Sequence, residues 1–306
     1  MLKCAFINCH DLFQPGTVDR RGPQTPEEMK AKLGALAETL RRAVGGIPDL
    51  VGLCEVGDEA VGKELAEAIA TGYYTSVWSG RPQRKNSMGL MVLYRCGMFK
   101  KQREWSEPQS LTLRTRAMAV LLGHVTDPTE PPKSMVWFVV SHWEATFSDT
   151  AVEDRRESWS NFSRFCRKDA FEDTDALILV GDFNCEPWGP PFVNKARDVL
   201  EATRERRLVL EAKRGDSFLY NPMWRLAVEA APYEDTLAAG YSERFHRLGT
   251  WVGAGKGWRM IDQLIVTRAL LAGPFLKLQE ATVSIVIAHL GCSDHCAIGA
   301  SFTVEG

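Results

Sequence analysis

The residues best placed for chemistry close an apolar run: Leu177-Ile178-Leu179-Val180 stops abruptly at Gly181-Asp182-Phe183-Asn184. Four consecutive aliphatic residues read as a buried strand, and a glycine at its end permits a backbone turn that few other residues tolerate. Asp182 and Asn184 lie two positions apart, so on an extended backbone both side chains leave the same face. A carboxylate beside an amide suits a metal-bound water and a phosphate oxygen. Taken alone, the pair reads as well as an ordinary Asp/Asn turn, because both residues hydrogen-bond their own backbone. The argument gains weight because other apolar runs end in the same way. Asn8 closes Lys3-Cys4-Ala5-Phe6-Ile7, Glu55 closes the run from Pro48 to Cys54, and His142 closes Val136 to Ser141. Asp262 lies within Arg259 to Val266, and Ser293-Asp294-His295 precedes a last strand at Ala297–Val304. A carboxylate such as Glu55 at the end of a buried strand must be solvated, paired or bound to a cation.

These groups need elements to hold them. Thr25, Pro26 and Glu28 form a helix start with a capping box, and Met29, Leu33, Leu36, Leu40 and Val44 recur at helical spacing until Gly45-Gly46. A second amphipathic helix is predicted over Glu59 to Ile69, a third over 152–168 and a fourth over Phe192 to Ala202. Between them, Tyr73–Trp78, Met88–Tyr94, Arg116–Val125 and Met135–Ser141 read as strands without intervening helices. That succession argues for antiparallel meanders and against a doubly wound parallel sheet. Residues 203–257 are less regular and carry Trp224, Tyr233, Tyr241 and Trp251 together with Arg204, Arg206, Arg207, Arg225, Arg244 and Arg247. Aromatic and guanidinium groups of this kind stack on bases, although core and surface loop explain any one of them slightly better. No repeat, low-complexity tract or linker interrupts the chain, so one domain over 1–306 is expected.

Composition narrows the classes. A chain of 306 residues, 45% hydrophobic and 25% charged, is globular in usage and long enough for a sizeable core. With 37 Lys plus Arg against 39 Asp plus Glu, the net charge of −2 lacks the basic signature of a tight, non-specific nucleic-acid binder. A nuclease needs only a local basic rim and is not excluded. The eight cysteines contain no CxxC pair, so they are read as reduced thiols of a cytoplasmic protein and not as disulfides or a zinc site. No apolar run reaches spanning length and no signal peptide precedes the first strand, so membrane insertion is not expected.

Collected in order, Asn8, Glu55, His142, Asp182, Asn184, Asp262, Asp294 and His295 resemble the endonuclease/exonuclease/phosphatase superfamily, the metal-dependent phosphodiesterases with a deoxyribonuclease-like fold. Gly-Asp-Phe-Asn at 181–184 and Ser-Asp-His at 293–295 carry the resemblance most specifically. Leu-Cys-Glu at 53–55, Ser-His-Trp at 141–143 and Ile-Asp-Gln at 261–263 agree in order, so the match spans nearly the whole chain. The resemblance implies a four-layer α/β sandwich, two mostly antiparallel sheets packed face to face with helices outside. It implies a divalent cation, Mg2+ or Mn2+, on Glu55, helped by Asn8 and Asp294. Asp182 would orient or deprotonate the attacking water, with Asn184 holding a phosphate oxygen, His142 contacting the scissile phosphate, and His295 paired with Asp262. Trp143 and Trp251 are the expected aromatic contacts to substrate. One departure stands out: relatives often carry an acidic or amide residue two positions after the first-strand asparagine, where this chain has His10, followed by Asp11.

The chemistry explains the residue types. Phosphodiester hydrolysis builds negative charge in a pentacoordinate transition state, which a hard cation on carboxylate oxygens and nearby amide and imidazole donors stabilise. The expected activity is a nuclease, with DNA favoured over RNA as the partner. The alternative is a phosphatase or phosphodiesterase acting on a small or lipid-linked phosphate, such as a phosphoinositide or sphingolipid head group, which the near-neutral charge would suit. A catalytically dead scaffold on the same fold is disfavoured by the intact set of carboxylates and histidines.

Overall fold

The computed structural model describes residues 1–17, 22–79, 88–106, 117–127, 129–143, 145, 151–193, 199–212, 218–228, 249–253, 257–288 and 292–304. The chain runs β1 (Leu2–Leu12), α1 (Pro26–Val44), β2 (Leu50–Val56), α2 (Glu59–Ile69), β3 (Tyr74–Trp78), β4 (Gly89–Arg95), β5 (Phe99–Ser106), β6 (Ala117–His124) and β7 (Ser134–His142). It continues through α3 (Ala151–Phe165), a π-helical turn at Cys166–Ala170, α4 (Phe171–Asp173), β8 (Leu177–Asp182), β9 (Glu201–Thr203), α5 (Arg206–Glu211), β10 (Phe218–Tyr220) and α6 (Met223–Val228). The last elements are β11 (Trp251–Gly253), β12 (Gly257–Arg259), β13 (Asp262–Val266), α7 (Ala269–Ala272), β14 (Leu276–Val286) and β15 (Ala297–Val304).

Two mixed sheets result, ordered β14-β15-β1-β2-β4-β3 and β5-β6-β7-β8-β13-β10-β9, with β11 and β12 as a separate pair. Most neighbours are antiparallel, but β1 and β2 run parallel, as do β7 and β8 and the short β9 and β10. A helix sits in each of those crossovers, α1 in the first, α3 in the second and α5 in the third, as a parallel connection requires.

The layers follow from strand alternation. In β1, Cys4 and Phe6 face one core while Ala5, Ile7 and Cys9 face another. The first core lies between the sheets, where Phe6, Leu50 and Val92 meet Val120, Phe138, Ile178 and Val180. The second lies under α1 and α2, which supply Leu36, Leu40, Val61 and Leu65. A third core fills the space between the outer face of the second sheet and α3, around Trp137, Leu179, Trp159, Phe162 and Phe165. Helix, sheet, sheet and helix thus stack in the four-layer sandwich that the sequence predicts. Gly52 sets how closely the sheets approach: a Cβ there would lie 2.8 Å from Val180 and 2.9 Å from Val140.

Helix α1 begins as its sequence predicts, with Thr25 Oγ1 accepting from the Glu28 N–H at 3.2 Å. The return bond of the capping box goes one residue earlier, from the Gln24 N–H to Glu28 Oε2 at 2.7 Å. One expectation is corrected and two strands go unread. The described parts of the helix predicted over Phe192 to Ala202 are not helical: 191–193 are turn and β9 starts at Glu201, where Gly189-Pro190-Pro191 favours a turn at the entry, while 194–198 lie outside the described residues. Strands β5 and β14 escape the sequence reading. Strand β5 is an edge strand whose Lys100, Lys101, Gln102, Arg103 and Glu104 hide the usual apolar pattern. Arg116, Tyr233, Tyr241, Arg244 and Arg247 lie outside the described residues.

Candidate active site

Six strands deliver side chains to one edge of the sandwich. Strands β1, β2, β7 and β8 do so from their C-terminal ends, with Asn8, Glu55, His142 and Asp182. Strands β13 and β15 do so from their N-terminal ends, with Asp262 at the first residue of β13 and Asp294-His295 just before β15. Cross-strand register aligns the second sheet's contribution, His142 opposite Asp182 and Asp182 opposite Asp262. In the first sheet the β1·β2 register shifts between Asn8 and Leu12, and the β2·β4 register between Leu53 and Val56. Such bulges re-aim side chains at the end of a strand. The backbone bears this out: the non-glycine residues with positive φ among those described are His10 (47°), Asp11 (57°), Glu55 (59°) and Asn184 (47°), all at this edge.

Asn8 is the hub. It is buried, and its Nδ2 donates to Glu55 Oε1 at 3.1 Å and to Asp182 Oδ2 at 3.0 Å, with His295 Nε2 at 3.4 Å. Its Oδ1 accepts from the His10 N–H at 2.9 Å. An amide donor between two carboxylates relieves their repulsion and fixes their spacing. Glu55 also accepts from the Asp11 N–H at 3.0 Å, and His142 Nε2 lies 3.6 Å from Glu55 and 3.7 Å from Asp182. Burial alone would push the Glu55 carboxyl up, but His142, the Asn8 amide and the Asp11 N–H outweigh it and hold the group below its ordinary value.

Asp262 is fully buried and places both oxygens on His295 Nδ1, at 3.0 and 2.9 Å. Burial pushes the Asp262 carboxyl up against the pull of His295. Burial also disfavours the His295 imidazolium, yet Asp262 and Asp182 outweigh it and hold the ring charged well above its ordinary range. With Nδ1–H donated to Asp262, Nε2–H points toward Asp182 Oδ2, 3.7 Å away. Asp294 is half-exposed, paired with His10 Nδ1 at 3.2 Å and with the Trp251 indole N–H at 2.9 Å.

The structure revises three sequence expectations. Gly181 makes no turn: it lies within β8, and glycine is required because a Cβ would sit 2.4 Å from the Ser141 carbonyl oxygen. Asp182 and Asn184 do not share a face of extended backbone. Asn184 is left-handed, its N–H bonds Asp182 Oδ1 at 2.9 Å, and its Nδ2 donates to the Trp143 carbonyl at 3.0 Å. Trp143, expected to touch substrate, is instead 3% exposed and packs on Trp159, Phe183 and Phe192, so its ring belongs to the core. Trp251 does lie beside the site, where its ring is 6.3 Å from that of His295.

Sequence reasoning missed Thr250, whose buried Oγ1 accepts from the Ile261 and Asp262 N–H groups at 3.1 and 2.8 Å and so fixes the start of β13. A lone threonine in an irregular stretch offers no signal. His10, which departs from the family pattern, is the partner of Asp294, while Lys32 Nζ donates to the His10 carbonyl.

The donor set suits a hard cation. Glu55 and Asp294 offer carboxylate oxygens near Asn8, and the four acids Glu55, Asp182, Asp262 and Asp294 surround a charged His295. Ligand atoms of Asp182, Asp262 and His295 also lie within 4.8 Å of one another. In that trio, however, the bond from His295 Nδ1 to Asp262 and the ring's charge oppose a cation, so the oxygen set around Glu55 fits better.

The family model described as the Endonuclease/Exonuclease/phosphatase family matches residues 10–284. The chain belongs to that family. Its fold resembles the endonuclease/exonuclease/phosphatase protein from Bacteroides vulgatus, at 14% identity over 99% of both chains with a TM-score of 0.61. It also resembles D. rerio TDP2, solved in complex with a single-strand DNA product, at 15% identity over 99% of both chains with a TM-score of 0.59. The human Nocturnin catalytic domain, solved with a bound sulfate anion, is 16% identical over 99% of this chain and 94% of that one, with a TM-score of 0.56. No curated protein matches the chain. The family's phosphodiesterase fold is therefore established here.

Proposed function

We propose that the chain is a single-domain, divalent-metal-dependent nuclease that hydrolyses phosphodiester bonds, DNA being the favoured substrate. The observation that carries this reading is the convergence of Asn8, Glu55, His142, Asp182 and His295 within 3.0–3.7 Å contacts at one edge of the sandwich. Glu55, with Asn8 and Asp294 beside it, would hold Mg2+ or Mn2+, which when bound supplies positive charge to the scissile phosphate. Asp182, whose Oδ1 is fixed by the Asn184 N–H, orients the attacking water through its other oxygen and accepts its proton. His142 Nε2 and the charged His295 Nε2–H donate to phosphate oxygens as negative charge builds. Asp262 keeps His295 charged and, by holding Nδ1–H, orients the ring so that Nε2–H points into the site. Asn184 contributes a backbone-braced amide at the rim. The DNA complex of TDP2 supports a nucleic-acid substrate by analogy of fold. The eight free cysteines, all but Cys96 buried, accord with a reducing compartment such as the cytoplasm, and among the described residues no helix is long and apolar enough to cross a membrane.

The test is turnover of double-stranded DNA, single-stranded DNA, RNA and phosphoinositides with Mg2+ or Mn2+, alongside Glu55→Ala and His295→Ala. Metal-dependent cleavage of a nucleic acid that both variants lose supports the proposal. Phosphate release from the lipid head group alone overturns it in favour of a phosphatase.

A further inference from the structure

The turn that follows the catalytic strand carries an exposed tryptophan that the hydrolytic machinery does not use. Trp188 is 48% exposed, one of few large apolar side chains so placed among the described residues. Its ring meets that of Trp224 edge-on at 5.5 Å, and the Arg204 guanidinium covers the Trp224 ring at 5.5 Å. Arg204 is itself 61% exposed. An exposed indole, a partly buried one whose Nε1 is covered, and a guanidinium that also pairs with Glu205 Oε1 at 3.3 Å therefore lie together.

That surface is braced against the site. Trp188 lies six residues after Asp182, a chain reach of at most about 20 Å. The Gly189 N–H closes the turn on the Glu186 carbonyl at 2.8 Å, and Glu186 Oε2 accepts from the Met260 N–H at 3.0 Å. Beside it, Gln263, next in sequence to Asp262, donates to the Cys185 carbonyl at 2.6 Å and accepts from Asn221 Nδ2 at 2.5 Å. Asn221 Oδ1 in turn caps the Met223 N–H at 3.0 Å, immediately before Trp224. These bonds tie the backbone beside both tryptophans to the start of β13, which carries Asp262. A rigid turn with an exposed ring loses little freedom when it binds a flat ligand.

We propose that Trp188, Trp224 and Arg204 form a stacking subsite for an unpaired base of a single-stranded nucleic acid whose scissile phosphate lies at Asp182 and His295. The proposal rests on the nuclease reading above and names the strand form that the enzyme would hold. A flat aromatic surface accepts any base, because every base has a π face, and Arg204 adds positive charge where the strand's phosphates pass. A fully paired duplex offers no free face to Trp188 except at its ends.

The experiment measures binding and steady-state cleavage of a short single-stranded oligonucleotide and of an abasic strand of equal length, with Mn2+. The proteins are wild type, Trp188→Ala, Trp188→Phe and the distant surface control Ile47→Ala. The expected result is a rise in Kd and KM of about 5- to 100-fold for Trp188→Ala on the base-bearing strand, with kcat changed far less. Trp188→Phe should recover most of the loss, Ile47→Ala should match wild type, and the abasic strand should bind wild type and Trp188→Ala alike. Equal affinity of Trp188→Ala and wild type for the base-bearing strand overturns the subsite while leaving the nuclease reading intact. Failure of the wild type to bind any nucleic acid overturns both.

Discussion

Replacing Asp262 with Asn changes little but charge. The amide keeps the shape of the carboxylate and still offers one oxygen to His295 Nδ1–H, where the native residue offers two at 3.0 and 2.9 Å. What disappears is the fully buried anion that holds the imidazole protonated against the cost of burial. Breaking a buried charge pair by removing one partner costs about 3–5 kcal/mol. Charged to the imidazolium, that is a fall of roughly 2–4 pK units, since each unit is about 1.4 kcal/mol. From about 10, His295 then comes down to the neighbourhood of neutrality instead of titrating in the alkaline range. At pH 8.5 Nε2 would mostly cease to donate to a phosphate oxygen, and kcat should drop by up to about 100- to 1,000-fold, the cost typical of one lost transition-state donor. The assay is the pH–rate profile of a phosphodiester substrate, with the His295 ring titrated by NMR in the same protein. The alkaline limb should move to lower pH and some activity should return on acidification. An Asp262→Asn variant with a wild-type profile and a rate within threefold of wild type would refute the reasoning.

Glu55→Gln should lower activity by about 100-fold or more and weaken Mn2+ binding in calorimetry, because a cation's charge stabilisation is worth several kcal/mol; chelator should abolish the wild-type rate. Gly181→Ala should cost about 1–3 kcal/mol in urea denaturation, since the new methyl meets a backbone carbonyl at the sheet centre that cannot swing aside. At the far end of the molecule, His124 packs between Phe99 and Phe275, and burial first, then Lys133, lowers its pKa. The unfolded chain thus takes up this proton first, so stability should fall as pH drops below about 6.5. His124→Gln should flatten that dependence in urea melts between pH 5 and 7.5.

The fold's layers were legible because β1, β2, β7 and β8 are apolar runs and α1 carries both its caps and its stripe. Polar groups at the ends of those runs gave the site. What stayed hidden depends on contacts between distant segments. Thr250 matters only because the start of β13 passes over it, and Gly181 only because Ser141 lies beside it. Trp143 follows the candidate site residue His142 in sequence, yet the end of the strand turns its ring inward onto Phe183 and Phe192. Sequence offers the residue type but not the side of the sheet on which an irregular residue falls. Strand β14 was unreadable for a related reason, since Lys277, Gln279, Glu280 and Thr282 break its alternation and its register shifts midway.

The left-handed backbone at His10, Asp11, Glu55 and Asn184 sets this enzyme at odds with selection for heat resistance. A side chain in that conformation costs roughly 1–2 kcal/mol that glycine would recover. A search for thermostable variants is therefore drawn to this edge, where glycine at Glu55 would relieve the backbone but remove the carboxylate that accepts from Asn8 and Asp11. Stabilising changes are better sought at the opposite end of the sandwich.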